Sequence, residues 1–296
     1  MRNSTSKIRS IAVRIILAAG VALLAFNVVE AQEAEAREIE SSLGVSVTNQ
    51  YFFRGIQQET EGLIVQPWID FVFPLREGEN ASWSLNIGTW NSLHDGPTGS
   101  GGSGMTMHYE LDAYAGVGVD FAENWSSSLS YVILSSPNSA FNTVEELNFS
   151  FSFDDSGRFG KGARSFSGFQ PHVLVALEVS GQSDGGSGEG IYLELGIEPA
   201  LGLNDDGKHP VSLSFPVVAG LSVEDYYEDA MGSDDAFGFA QGGVAFSTVL
   251  NPASTQGGSW TLSGGAHVLL LGDNLKAING GSGTEVIVSL DIGFAF

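Results

Sequence analysis

Nine carboxylates recur at positions that share faces of alternating stretches: Asp70, Glu110, Asp112, Glu146, Glu178, Glu194, Glu198, Glu285 and Asp291. Arg54 is the main base that falls among them, and His108, His172 and His267 occupy the same faces. Carboxylates converging on one enclosed face would make an acidic passage that favours cations or neutral solutes. A competing arrangement is a structural network in which Arg54 and its acidic neighbours fill a narrow interior. A hydrolase would need a nucleophile, a base and an orienting group brought together. No His-x-x-x-His metal spacing occurs, and cysteine is absent, which removes disulfides and thiolate metal sites. Neither an enzyme nor a cofactor or metal is expected. A third class is an adhesive or purely structural surface protein that works through its loops.

The elements that must carry these groups are strands. The stretch from Glu285 to Phe296 alternates with period two, so that Val286, Val288, Leu290, Ile292, Phe294 and Phe296 share one face. Glu285, Ser289, Asp291, Gly293 and Ala295 share the other, with Ile287 as the one large apolar intruder. Successive strand side chains point to opposite faces, so this strand has one greasy and one polar side. It resembles the closing strand of bacterial outer-membrane barrels, in which Phe294 and Phe296 would serve as the signal read by the insertion machinery. An inner strand of a soluble sandwich would show a similar alternation.

The N-terminal segment holds Arg2, Lys7, Arg9 and Arg14, then an apolar run from Ile15 to Val29, then Val29-Glu30-Ala31. That is the layout of a secretory signal peptide, 1–31, with cleavage near Ala31. The chain carries 12 Lys and Arg against 35 Asp and Glu, a formal charge of −23. Loss of a basic leader makes the remainder more acidic still. Nucleic acid is excluded as a partner, because its binders need a basic footprint. Clusters such as Glu224-Asp225 and Asp234-Asp235 lie in Gly/Ser-rich stretches and read first as solvation. Glycine, at 39 of 296 residues, points to many turns and bulges.

In chain order, a polar lead (32–40) precedes a first strand from Ser42 to Phe53, with Leu43, Val45, Val47, Tyr51 and Phe53 on one face and Arg54 at its top. Gly62 to Phe73 follows, with a bulge or local break expected at Pro67, which cannot donate a ladder bond. Then come 82–91 and a long alternation in which Met107, Tyr109, Leu111 and Ala113 oppose His108, Glu110 and Asp112. Further strands are read at 125–134, 142–153, 168–180, 191–200, 210–221, 237–250, 259–271 and 285–296. Spans of about 9–11 residues suit a tilted membrane strand. Twelve strands, an even number, are expected to place both termini on the periplasmic side. Aromatics near strand ends (Tyr51, Phe53, Trp83, Phe121, Trp125, Phe153, Phe237 and Trp260) suit interface girdles. The expected fold is all-β, a single antiparallel transmembrane β-barrel (41–296) of about twelve strands.

The stretch from Val47 to Gln58, with Arg54-Gly55-Ile56 at its centre, resembles the start of the TorF-type porins, also called Gcw-type conserved hypothetical proteins. Gly88-Thr89-Trp90-Asn91-Ser92, Glu110 to Gly116 and the Glu145-Glu146 pair match the same layout. The resemblance covers roughly Val45 to Phe153. It implies an outer-membrane barrel and a pore, and it names no solute. Pore-lining candidates are then Arg54, Asp70, Glu110, Asp112, Glu146, His172, Glu178, Glu194, Glu198, His267 and Asp291. The expected location is the outer membrane of a Gram-negative bacterium. The expected partners are membrane lipid, the insertion machinery and small solutes. Oligomeric state is not legible.

Overall fold

A computed structural model describes residues 38–99, 106–159, 166–204, 209–251 and 257–296. The expected signal peptide and most of the polar lead lie outside the described residues. From Ile39 to Phe296 the chain forms one unit. Its first half holds β1 (Glu40–Thr48), β2 (Tyr51–Phe53), β3 (Ile56–Glu59), β4 (Ile64–Glu77), β5 (Ala81–His94), β6 (His108–Phe121), β7 (Trp125–Ser135) and β8 (Val144–Phe153). Its second half holds β9 (His172–Ser180), β10 (Ile191–Ile197), β11 (Ala200–Asn204), β12 (Val211–Ser214), β13 (Val217–Glu224), β14 (Phe237–Val249), β15 (Ser259–Leu271) and β16 (Thr284–Ala295). One short helix, α1 (Asp273–Ile278), sits between the last two strands.

Twelve of these strands close into a ring. Antiparallel neighbours run β1-β4-β5-β6-β7-β8-β9-β10-β13-β14-β15-β16, and β16 pairs back to β1 from Ser42↔Ala295 to Thr48↔Ser289. Closure gives each of the twelve ring strands a neighbour on both sides, which is what a strand assembly needs in hydrocarbon. The two short strands β11 and β12 prolong β10 and β13 beyond breaks at Glu198-Pro199 and Phe215-Pro216, where proline cannot continue the ladder.

Alternation decides which face is which. Leu43 and Val47 on β1, Ile87 on β5, Phe149 on β8, Val244 and Phe246 on β14, and Val286, Val288 and Leu290 on β16 all stay exposed. These outward rows make an apolar exterior. At the end of the barrel that carries Glu40 and Ala295, the exterior is aromatic. Trp125 stacks on Phe151 at 4.8 Å and lies 4.4 Å from Phe153, while Trp260 lies 4.7 Å from Phe294. Amphipathic rings gathered at one rim form a girdle. The inner face is filled by large side chains set against glycines. Trp68 lies so close to Gly44 that a Cβ there would meet its ring at 2.7 Å and the Ile292 carbonyl at 2.8 Å.

Two sequence expectations about β4 and β6 are corrected. Pairing of β4 with β5 skips Gln66 and Pro67 while keeping its register, which is the local break expected there, and a bulge falls further on, at Pro74–Arg76. The strand continues to Glu77, past its expected end at Phe73. Tyr109 does not face outward. A register shift at Ser92/Leu93 turns the start of β6, and Tyr109 is buried, stacked on His94 at 4.4 Å.

Candidate functional site

The largest departure from the sequence reading is at Tyr51 and Phe53. They do not extend the first wall strand or belong to a girdle. The wall strand ends at Thr48, and β2 and β3 form a separate two-stranded hairpin that pairs only with itself. Phe53 pairs with Ile56, so Arg54-Gly55 is a two-residue turn. Both turn residues have positive φ, 48° and 83°, which is the geometry that matches the twist of a tight hairpin. Arginine is a poor residue for that position, since a Cβ is strained there. Its side chain explains its presence.

The Arg54 guanidinium is a buried hub. Nη1 donates to Glu146 Oε1 at 2.7 Å and to the Tyr226 hydroxyl at 2.7 Å, and Nη2 donates to Glu146 Oε2 at 2.8 Å. Bidentate pairing of this kind fixes both groups in orientation as well as in distance. The side chains are 9 % and 1 % exposed. Aromatic rings of Tyr192 (4.5 Å), Phe53 (4.7 Å) and Tyr226 (5.5 Å) surround the cation, replacing part of its lost hydration. Around this pair lies an apolar cluster of Ile56, Ala176, Tyr192, Tyr227, Phe239, Leu269, Leu271 and Leu275, against which Ile287 packs. Ile287, the apolar intruder of the last strand, thus faces the hairpin.

Secondary contacts hold the rest of the hairpin. Tyr227 donates to the Arg54 carbonyl at 2.9 Å, and Asn279, just past α1, donates to the Gly55 carbonyl at 2.7 Å and accepts from the Gln57 amide at 2.9 Å. Tyr51 donates to Glu110 at 2.9 Å, and Tyr109 donates to Gln58. At the base of β3, Glu59 accepts from the Thr98 hydroxyl (2.7 Å) and amide (2.8 Å). Thr98 spends its proton on Glu59, so it accepts from His94 Nδ1–H (2.6 Å), which leaves His94 Nε2 to accept from the Ser92 hydroxyl (2.7 Å). This chain runs from the wall to the hairpin, with Ser92 and His94 fully buried.

The sequence-derived candidates fall into three groups. Arg54, Glu110 and Glu146 meet at the hairpin, and Asp112 follows Glu110 on the same strand, with its Oδ1 buried without a partner. A second group sits along the inner wall. Asp70 accepts from Tyr114, Asp291 accepts from Ser46 and from Ser289 (3.3 Å), and Glu194 accepts from Tyr192 (2.7 Å) with His172 at 4.0 Å. His108 contacts Asn91 at 2.9 Å, and His267 Nδ1 is buried without a partner. The third group serves other ends. Glu178 accepts from the Ser183 (2.6 Å) and Gly190 (2.7 Å) amides and so ties down the 181–190 loop. Glu198 is exposed at the β10–β11 break, and Glu285 is half-buried opposite Leu269. Phe296 is 62 % exposed and stacks on Phe294 at 5.5 Å.

Sequence reasoning missed Tyr192, Tyr226, Tyr227, Asn279 and the Ser92–His94–Thr98–Glu59 chain. The available signal was the Arg54-Gly55 dipeptide between Tyr51-Phe52-Phe53 and Ile56, a hairpin pattern with arginine in the place of asparagine. Gly181-Gln182-Ser183-Asp184-Gly185 also has the G-x-S-x-G spacing of a nucleophile elbow. It lies in the loop between β9 and β10, not in the strand-to-helix elbow that makes such a serine reactive. Among the described residues, no group of three or more His, Cys, Asp or Glu side chains could hold a metal ion.

Ring closure, the apolar exterior and the aromatic rim define the class: an outer-membrane-type β-barrel with an inward hairpin. A family model described as a bacterial protein of unknown function (Gcw_chp) matches residues 31–150. No curated protein matches the chain. Among solved structures, it is similar to a bacterial polysaccharide outer membrane secretin (10 % identity, 89 % of this chain and 100 % of that one, TM-score 0.49). It is also similar to LpxR from Salmonella typhimurium (9 %, 86 % and 99 %, TM-score 0.46). A third is the COG4313 outer membrane channel from Pseudomonas putida F1 (9 %, 90 % and 98 %, TM-score 0.43).

Proposed function

We propose that the protein is a narrow outer-membrane channel for small cations and neutral solutes, held shut by the hairpin Tyr51–Glu59. The observation that carries this reading is the Arg54–Glu146 latch. The hairpin makes no backbone ladder with the wall, and side-chain hydrogen bonds to wall and loops hold its turn across the interior. Withdrawing it would break the latch without breaking the barrel. Acidic groups on the inner wall, Asp70, Asp112, Glu194 and Asp291 among them, would then set a negative potential along the path. Hairpin and latch stand at the end opposite Glu40 and Ala295, which is the cell-exterior end if the start of β1 and the end of β16 are periplasmic. The TorF-type resemblance around Arg54 supports the same reading. Recognition of Phe294 and Phe296 by the insertion machinery belongs to it as well.

A non-conducting structural barrel is the second reading, favoured by the near-complete burial of the latch. Selectivity separates an acidic channel from other pores. With the hairpin released by Arg54→Asn, the reversal potential in a salt gradient should report cation preference, and Asp112→Asn should move it towards zero. An anion-selective pore, or a potential that Asp112→Asn leaves unchanged, contradicts the channel as proposed.

A further inference from the structure

Beside the hairpin is a cavity of about 240 Å³ lined by β1, β4, β14, β16 and the start of the hairpin. Its polar lining consists almost entirely of neutral groups that both donate and accept. Gln50, Gln66 and Gln241 supply three carboxamides, and Ser46, Thr48 and Ser289 supply hydroxyls. Asp291 is the one charged group, and its oxygens already accept from Ser46 and Ser289. No Lys or Arg lines it. Tyr51 and Phe52 add aromatic surface on one side.

One buried polar atom of the lining, Gln50 Oε1, lacks a partner. Buried acceptors are rarely left unpaired, so it marks a place where a further group binds. A liquid water occupies about 30 Å³, so a cavity of this volume holds roughly eight waters, or one ligand of about a dozen non-hydrogen atoms. A lining without a base rejects anions. One carboxylate already held by two hydroxyls offers little to a cation. Amides and hydroxyls facing aromatic rings match the alternating O–H groups and C–H faces of a sugar.

We propose that this cavity is a binding site for a neutral monosaccharide-sized polyol. The inference rests on the channel reading, since the cavity adjoins the path that the hairpin closes. The test uses the folded wild-type barrel in detergent and saturation-transfer NMR, with glucose and N-acetylglucosamine as neutral probes, choline as a cation and glucose 6-phosphate as an anion. Transfer to the neutral sugars alone is expected, at least tenfold weaker in Gln241→Leu, with an unchanged heat-modifiable gel shift showing that the variant folds. Maltotriose is a further probe: binding through its end sugar only would place a glycan terminus in the site, and no binding would restrict it to free sugars. Equal transfer to the charged probes, no transfer at 100 mM sugar (a cavity that only hydrates), or wild-type binding by Gln241→Leu overturns the site. Conductance of the Arg54→Asn barrel is read separately. A conducting barrel without sugar binding removes the site alone, and sugar binding without conductance removes the channel alone.

Discussion

At the scale of single residues, Arg54 holds a position that its backbone disfavours for the sake of its side chain. Its φ of 48° beside Gly55 at 83° is a turn that asparagine would enter with less strain. Arg54→Asn should therefore keep the turn and lose the latch. Breaking a buried pair from one side leaves the other charge uncompensated, a loss of roughly 3–5 kcal/mol. Glu146→Gln should cost a similar amount, and Arg54→Asn combined with Glu146→Gln should cost clearly less than the sum, because neither buried charge is then stranded. Urea unfolding followed by heat-modifiable gel mobility measures all three, and strict additivity would show that the two residues do not act as a pair. Gly44 is a second sensitive position. Valine there would drive a Cβ to 2.7 Å from Trp68, and overpacking of this kind costs typically 1–3 kcal/mol. The same midpoint measurement should show Gly44→Val less stable than Gly44→Ser.

At the scale of elements, the hairpin is where the sequence was hardest to read. Tyr51 and Phe53 continue the alternation of Leu43, Val45 and Val47, so period alone could not tell a wall strand from a strand folded inward. The difference lies in Asn49 and Gln50, where the wall pairing stops, and in a turn whose signature residue is hidden behind an arginine. Asn279 closes the hairpin from the other side. Asn279→Ala would strip partners from the Gly55 carbonyl and the Gln57 amide, about 1–3 kcal/mol of unmet hydrogen bonding, and limited proteolysis should then cut within 51–59 while the wall stays resistant. At the opposite rim, the loop after β8 answers to pH. Burial tends to raise Asp155, but amides of Gln170 and Phe169 hydrogen-bond its carboxylate and hold it below its ordinary value of 3.8. A lowered folded-state value stabilises the loop above that ordinary value and is lost as pH falls through the folded one. Hydrogen-exchange protection factors at Phe169 and Gln170, which divide out the intrinsic slowing of exchange in acid, should fall on acidification below about pH 4, and protection that is flat across that range would reject the role of Asp155.

At the scale of the whole molecule, the ring of twelve strands was legible because each wall strand must satisfy one rule, apolar outside and mixed inside, and closure repeats it twelve times. What alternation could not convey was the content of the lumen. Which inward carboxylates line open space, and which are consumed by a latch or a loop, depends on partners remote in sequence. Glu146 meets Arg54 across 92 positions, and Glu178 turns away to the amides of Ser183 and Gly190. Parity placed those groups on a face without saying what occupied it. The most direct measurement of the latch is single-channel recording of the wild type beside Arg54→Asn in planar bilayers, with both proteins first shown to be folded by gel mobility. A channel held shut by Arg54 predicts rare, brief openings in the wild type and a sustained cation-selective conductance in the variant. Equal conductance in the two proteins, or silence in both, would contradict it.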